Sequence, residues 1–123
     1  MHKSLNEIAQ HLPANVLAED CPSRAILQHV TSRWGTLILI ALAPGTLRFA
    51  ELRRRVQGIS ERMLAQTLQV LESDHLVIRT AHEVVPPHVD YALTPLGAEL
   101  AVRVLSLAHW IEENLPALQE AQT

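Results

Sequence analysis

The sequence predicts an α+β, mainly helical fold. Three observations carry that prediction. Apolar residues recur at helical spacing over most of the chain, residues 77–93 switch to a period of two, and helix-starting and helix-stopping residues punctuate the segments between. With 123 residues, 48% apolar and 19% charged, the chain can fill the core of one domain and is not globally disordered. Only Trp34, Phe49, Tyr91 and Trp110 are aromatic, so the core is expected to be aliphatic.

Ser4 precedes Leu5, Ile8, Ala9 and Leu12 at helical spacing, and Glu7 follows three residues later, a capping-box start for a short helix that Pro13 should close. Residues 14–20 read as a linker. Cys21-Pro22 places proline at a first helical position, with Ile26, Leu27 and Val30 expected on the buried side. Trp34 to Leu42 is apolar almost all round and should be the central helix, ended by Pro44-Gly45. Phe49, Leu52 and Val56 bury one face of the next helix, while Arg48, Glu51, Arg54 and Arg55 occupy the other. Gln57-Gly58-Ile59 is a short break and Ser60 a natural N-cap. Leu64, Leu68 and Leu71 stripe the following helix, opposite Arg62, Gln66, Gln69 and Ser73.

After Asp74 the period shortens. Val77 to Thr80 and His88 to Leu93 read as two strands, with Pro86-Pro87 forming a rigid tip between them. Thr94-Pro95 then starts a long helix expected to end near Leu115, before Pro116, with residues 117–123 fraying.

Charge is distributed unevenly. The chain carries 10 Lys+Arg against 13 Asp+Glu, a net of −3. Residues 48–79 hold six arginines against four acids, whereas residues 80–123 hold one against six. A basic segment inside an acidic chain is what a small DNA-reading surface looks like. The longest uncharged apolar run, Leu37 to Ala43, is far short of the ~20 residues that cross a bilayer. The first twenty residues lack the apolar stretch of a signal peptide, so the expectation is a cytoplasmic protein that does not enter a membrane.

The pair Arg48–Val56 and Glu61–Ser73, joined through Gln57-Gly58-Ile59-Ser60, has the form of a helix-turn-helix. Gly58 suits the bend, and Ile59 can lock the angle between the helices. The hairpin that follows makes this a winged helix. Burial of Leu64, Leu68 and Leu71 leaves a polar face of major-groove width. Ser60 and the helix N-terminus can hold a phosphate. Arg48, Arg53, Arg54 and Arg55 sit where the first helix crosses the DNA backbone.

The chain resembles the HxlR-type winged-helix transcriptional regulators over about residues 21–112. The matching pieces are Cys21-Pro22, Arg33-Trp34 to Leu42, Arg48 to Leu52, Gly58 to Leu64, Leu68 to Glu72, Val77 to Arg79, Pro86 to Gly97, and Trp110. Asp74-His75 departs from the pattern, because the family usually has glycine before the first wing strand; His75 is expected to take a left-handed conformation. The resemblance implies a winged helix-turn-helix with a two-stranded wing and N- and C-terminal dimerisation helices. It implies a homodimer on a palindromic or repeated operator in double-stranded DNA. Ser60, Arg62 and Gln66 would face the groove, Arg48 and Arg54 would touch phosphates, and His88 with the Pro86-Pro87 tip would approach the flanking minor groove or backbone. The division expected is 1–20 N-terminal extension, 21–94 DNA-binding domain, 95–116 dimerisation helix and 117–123 tail.

Dimerisation has support of its own. Nine of the twelve residues from Leu100 to Ile111 are apolar, more than one stripe, and the surplus should meet a partner. The residues expected there are Val104, Leu107, Trp110 and Ile111, joined by Leu5 and Ile8 of the first helix. Cys21 has two readings, a small buried hydrophobe or a thiol activated at a helix N-terminus. Some relatives use a cysteine in this position to sense electrophiles or oxidants, and many others keep it without a sensing role. The seven histidines show no His-x3-His or His-Glu-x-x-His spacing, so no metal site is expected. There is no glycine-rich phosphate loop and no base beside Ser60; neither a cofactor nor an enzymatic reaction is expected. The competing reading, which the net −3 charge keeps open, is a winged-helix protein-interaction module that does not bind DNA.

Overall fold

The computed structural model describes residues 4–12 and 15–120. The elements run α1 (Leu5–Gln10), α2 (Pro22–Val30), α3 (Arg33–Leu42), β1 (Leu47–Arg48), α4 (Phe49–Arg55), α5 (Glu61–Ser73), β2 (Val77–His82), β3 (His88–Leu93), α6 (Pro95–Glu113) and α7 (Leu115–Glu120). Serine and threonine caps set several starts. Ser4 Oγ accepts from Glu7 N–H at 3.2 Å, Ser32 Oγ from Gly35 N–H at 3.0 Å, and Thr94 Oγ1 from Gly97 N–H at 3.0 Å. Pro13 lies outside the described residues; α1 ends at Gln10 with His11 as its C-cap. Among the described residues no single helix is long and apolar enough to cross a membrane.

Helix α3 is central, packing against α2, α4, α5, α6 and β3. Its Ile38, Leu39 and Leu42 are fully buried and join Leu52, Leu64, Leu68, Leu71, Leu76 and Val77 in an aliphatic core. Among the described residues no polar or charged residue is buried. Helix α2 differs from expectation. Only Val30 is buried, while Ile26 and Leu27 are 46% and 48% exposed. The apolar stripe is real, but this chain covers only its C-terminal end. Val104, expected to face a partner, is buried in the chain's own core, because α6 lies on α3 along that side.

The sheet has three strands in the order β1-β3-β2, all pairs antiparallel. The hairpin register runs from Val77↔Leu93 to His82↔His88. Strand β1 adds Leu47↔Tyr91 and Arg48↔Asp90. Two residues are too few to show a period, so β1 leaves no sequence signal. At the other end, Pro116 does not terminate the helical structure. Helix α6 breaks at Asn114, and Pro116 sits in the first turn of α7, where its missing N–H costs nothing. Residues 117–120 are therefore helical rather than frayed, and residues 121–123 lie outside the described set.

One backbone junction sets the wing. His75 has φ 61°, and α5 ends in a Schellman arrangement: Leu76 N–H donates to Leu71 O at 3.0 Å and His75 N–H to Glu72 O at 3.0 Å. The Leu76 carbonyl accepts from Thr94 N–H at 3.1 Å, and Thr94 Oγ1 donates to His75 O at 2.7 Å. Gly97 lies so close that a Cβ there would collide with the Leu76 carbonyl. Relief of the left-handed conformation in His75→Gly, offset in part by glycine's entropy, should stabilise the fold by about 0.5–1 kcal/mol. Gly97→Ala should destabilise it by about 1–3 kcal/mol. Urea denaturation midpoints check both, and a His75→Gly midpoint at or below wild type would show that the imidazole compensates its own strain.

Candidate nucleic-acid interface

The turn between α4 and α5 is built as its composition requires. Val56 and Ile59 are buried on either side of it. Gly58 has φ 91°, a region that disfavours any side chain. Ser60 Oγ accepts from Met63 N–H at 3.1 Å, which starts α5 and leaves the hydroxyl proton free to donate. Helix α5 then commits Leu64, Leu68 and Leu71 to the core. Arg62, Gln66 and Gln69 are exposed on the other side, and their spacing of four and three residues puts them in one line. This is the arrangement expected from the leucine stripe.

The arginines of α4 do not form one patch. Arg53 Nη1 reaches Glu61 Oε1 at 3.1 Å, tying α4 to the first turn of α5. Both groups are exposed, so the pair contributes under about 1 kcal/mol and exchanges readily for another anion. Arg54 lines the same cleft, with Phe49, Ala50, Arg53 and Glu61. Arg55 lies elsewhere, against Leu37, Ile40, Val56 and Gln57 beside the end of α3. Arg48 is the N-cap residue of α4, its N–H donating to Glu51 Oε1 at 3.0 Å, and its side chain is exposed.

The wing has two faces. Strand register puts Arg79 and Tyr91 on the side toward α5, where they line a cleft with Ala65, Leu68, Gln69 and Glu72. Arg79 was not singled out from the sequence as a contact residue. Its parity with Val77 is the signal, since residues two apart in a strand share a face. His88 has the opposite parity. It stacks on His82 with ring centroids 4.6 Å apart, and His82 Nε2 is 2.8 Å from Asp90 Oδ2. The structure does not bring His88 to the Arg62/Gln66/Gln69 face; the exposed Pro86 and Pro87 stand at the tip beyond it.

Cys21 is the half-buried N-cap residue of α2. Desolvation pushes its thiol up, but the Ser23 N–H and hydroxyl and the Arg24 N–H outweigh that and hold it below the ordinary thiol value. At the other end of α2, His29 Nδ1 lies 2.7 Å from Asp74 Oδ2, the C-cap residue of α5. The helix carrying the thiol is thereby joined to the end of the helix carrying Arg62. Leu5, Ile8, Leu107, Trp110 and Ile111 are all exposed, and Leu107 and Trp110 are each 54% accessible.

Comparison with known proteins agrees with this geometry. Residues 29–119 match the HxlR-like helix-turn-helix family. The chain is 61% identical over 102 residues to the uncharacterized HTH-type transcriptional regulator YtfH of Escherichia coli (strain K12), covering 83% of this chain and 81% of that one. The solved structure of the transcriptional regulator ytfH from Salmonella typhimurium superposes with a TM-score of 0.83 at 56% identity, covering 88% of this chain and 96% of that one. The redox regulator HypR in its oxidized form superposes with a TM-score of 0.70 at 36% identity, covering 76% and 97%. With its helix-turn-helix, its three-stranded sheet and these relatives, the chain belongs to the HxlR-like helix-turn-helix family of winged-helix transcriptional regulators.

Proposed function

We propose that the chain acts as a homodimer that binds double-stranded DNA sequence-specifically, with α5 of each protomer in a major groove. The observation that carries this reading is the single line of Arg62, Gln66 and Gln69 opposite a fully buried leucine stripe. Arginine pairs bidentately with guanine and glutamine with adenine, so these three side chains can read base edges. Ser60, Arg48 and Arg54 hold phosphates, and Arg53 joins them when a phosphate displaces Glu61. Pro86, Pro87 and His88 reach the flanking backbone or minor groove. A regulator of this kind works where the chromosome is, in the cytoplasm.

The exposed apolar residues support a second copy as partner. Leu107, Trp110 and Ile111 on α6, Ile26 and Leu27 on α2, and Leu5 and Ile8 on α1 are more apolar surface than a small monomer ordinarily leaves to water. Two-fold pairing is the commonest closed assembly and matches an operator of two half-sites about one DNA turn, or a multiple of it, apart. Residues 21–94 then serve as the DNA-binding domain, with 95–116 and the helix within 1–20 as its dimerisation elements. Cys21 is the point of effector control by an electrophile or oxidant. The lowered thiol and the His29–Asp74 link from α2 to α5 support that role.

Three measurements test these statements. Arg62→Ala should weaken operator binding by ~1–3 kcal/mol and relax preference at one base position, while Arg54→Ala should weaken binding to all sequences and flatten the salt dependence. Fluorescence anisotropy at several salt concentrations distinguishes them; equal, sequence-independent losses would make Arg62 a phosphate contact. Wild type showing no salt-dependent binding to its own promoter region would favour the protein-interaction module instead. Leu107→Glu or Trp110→Glu should yield monomer by light scattering, and folded, unaltered dimers for both would move the interface elsewhere. Diamide or a quinone should change operator affinity in wild type and not in Cys21→Ser. An identical response in the two proteins would leave Cys21 a purely structural cap.

A further inference from the structure

The hairpin register assembles a cluster that sequence spacing conceals. His82 pairs directly with His88 across the two wing strands, and Asp90 lies two residues beyond His88 on the same strand face. One imidazole nitrogen from each histidine and one carboxylate oxygen of Asp90 all lie within 4.8 Å of one another. The three residues are half-buried, and the cluster faces away from α5. Asp90 is also the register partner of Arg48, yet it forms its close contact with His82 at 2.8 Å rather than an ion pair with that arginine. The carboxylate is therefore already turned toward the histidines.

We propose that His82, His88 and Asp90 form a binding site for a divalent transition-metal ion on the outer face of the wing, with Zn²⁺ as the reference ion. Two imidazoles and one carboxylate make a three-ligand set with a fourth position open to water. Ligand bonds of ~2.0–2.2 Å place tetrahedral neighbours about 3.3–3.6 Å apart, so binding requires the two imidazoles, now stacked with 25° between their planes, to rotate until both aim a nitrogen at the ion. Imidazole donors select Zn²⁺, Cu²⁺ or Ni²⁺ over Mg²⁺ and Ca²⁺, which take oxygen ligands. Among the described residues the other His–carboxylate pairs, His29–Asp74 and His109–Glu113, offer only two groups each and lack the third arm of the chelate. A bound ion links β2 to β3 beside the tip. It also occupies His88, so metal binding and a DNA contact from that imidazole exclude each other.

Titration of tag-free, full-length protein with ZnCl₂ by isothermal calorimetry should give one ion per chain, and MgCl₂ should give no binding. His88→Ala and Asp90→Asn should each abolish that binding, and His109→Ala, at the other exposed pair on α6, should preserve it. Circular dichroism of the variants should match wild type, because the cluster lies outside the aliphatic core. In wild type, Zn²⁺ should shift the imidazole NMR resonances of His82 and His88 and leave that of His109 in place, a readout that needs no variant. The proposal is overturned by the absence of saturable binding tighter than about 1 mM. It is equally overturned by binding that survives both His88→Ala and Asp90→Asn, or by Zn²⁺ shifting the His109 resonance and not those of His82 and His88.

Discussion

Burial of the α5 leucines against α3 is the constraint on which the rest depends. Leu64, Leu68 and Leu71 meet a core that contains Ile38, Leu39 and Leu42, all at or near zero exposure. Each fully buried leucine contributes about 1.5–3 kcal/mol, so rolling α5 about its axis by one residue would expose several kcal/mol of apolar surface and bury polar groups without partners. Hydrophobic burial thus sets the rotation of α5, and the Arg53–Glu61 and His29–Asp74 contacts at its two ends agree with that setting. The exposure of Arg62, Gln66 and Gln69 follows from it.

A second constraint, in the backbone, aims the wing. The left-handed turn at His75 reverses the chain directly after α5, and Thr94 bonds both the His75 and the Leu76 carbonyls where α6 begins. Both ends of the hairpin are therefore attached to one point on the end of α5. Because side chains alternate along a strand, the wing then has two chemically different faces. Arg79 and Tyr91 look toward α5, while His82, His88 and Asp90 look outward. Arg79 lies on the first face, and Arg48 shares the second with His82, His88 and Asp90.

The charge distribution and the apolar surface divide along the chain in the same way. The net positive charge lies in residues 48–79, which supply α4, the turn, α5 and the start of β2. The acidic excess lies in residues 80–123, mostly in or beyond β3, where α6 carries exposed Leu107, Trp110 and Ile111. The first region attracts a phosphate backbone, and in the second the acids of α6 and α7, Glu99, Glu112, Glu113 and Glu120, disfavour one. The acidic net charge of the whole chain is compatible with a DNA-facing surface because the two signs are segregated.

The sequence by itself determined the local elements and their polarity. Helical and strand periods, the Ser4, Ser60 and Thr94 caps, Gly58 in the turn and the left-handed His75 all act within a few residues, so they are legible in one dimension. The exposed polar face of α5 was legible for the same reason, since burying one stripe of a helix exposes the other. What the stripes of α2 and α6 bury against was not legible. Apolar spacing shows that a face wants cover, and only packing decided that Val104 is covered by this chain while Ile26 and Leu27 are not. Strand β1 exists because β3 is there to pair with it. The Arg53–Glu61 pair depends on the angle between two helices, and Pro116 starts α7 because α6 had already ended at Asn114. The meeting of His82, His88 and Asp90 depends on strand register. That is a relation between two segments, set by how the residues of the tip close the hairpin and by the burial of Val77 and Tyr91 on the other face. No spacing along one strand encodes it, because the physical contact runs across the sheet.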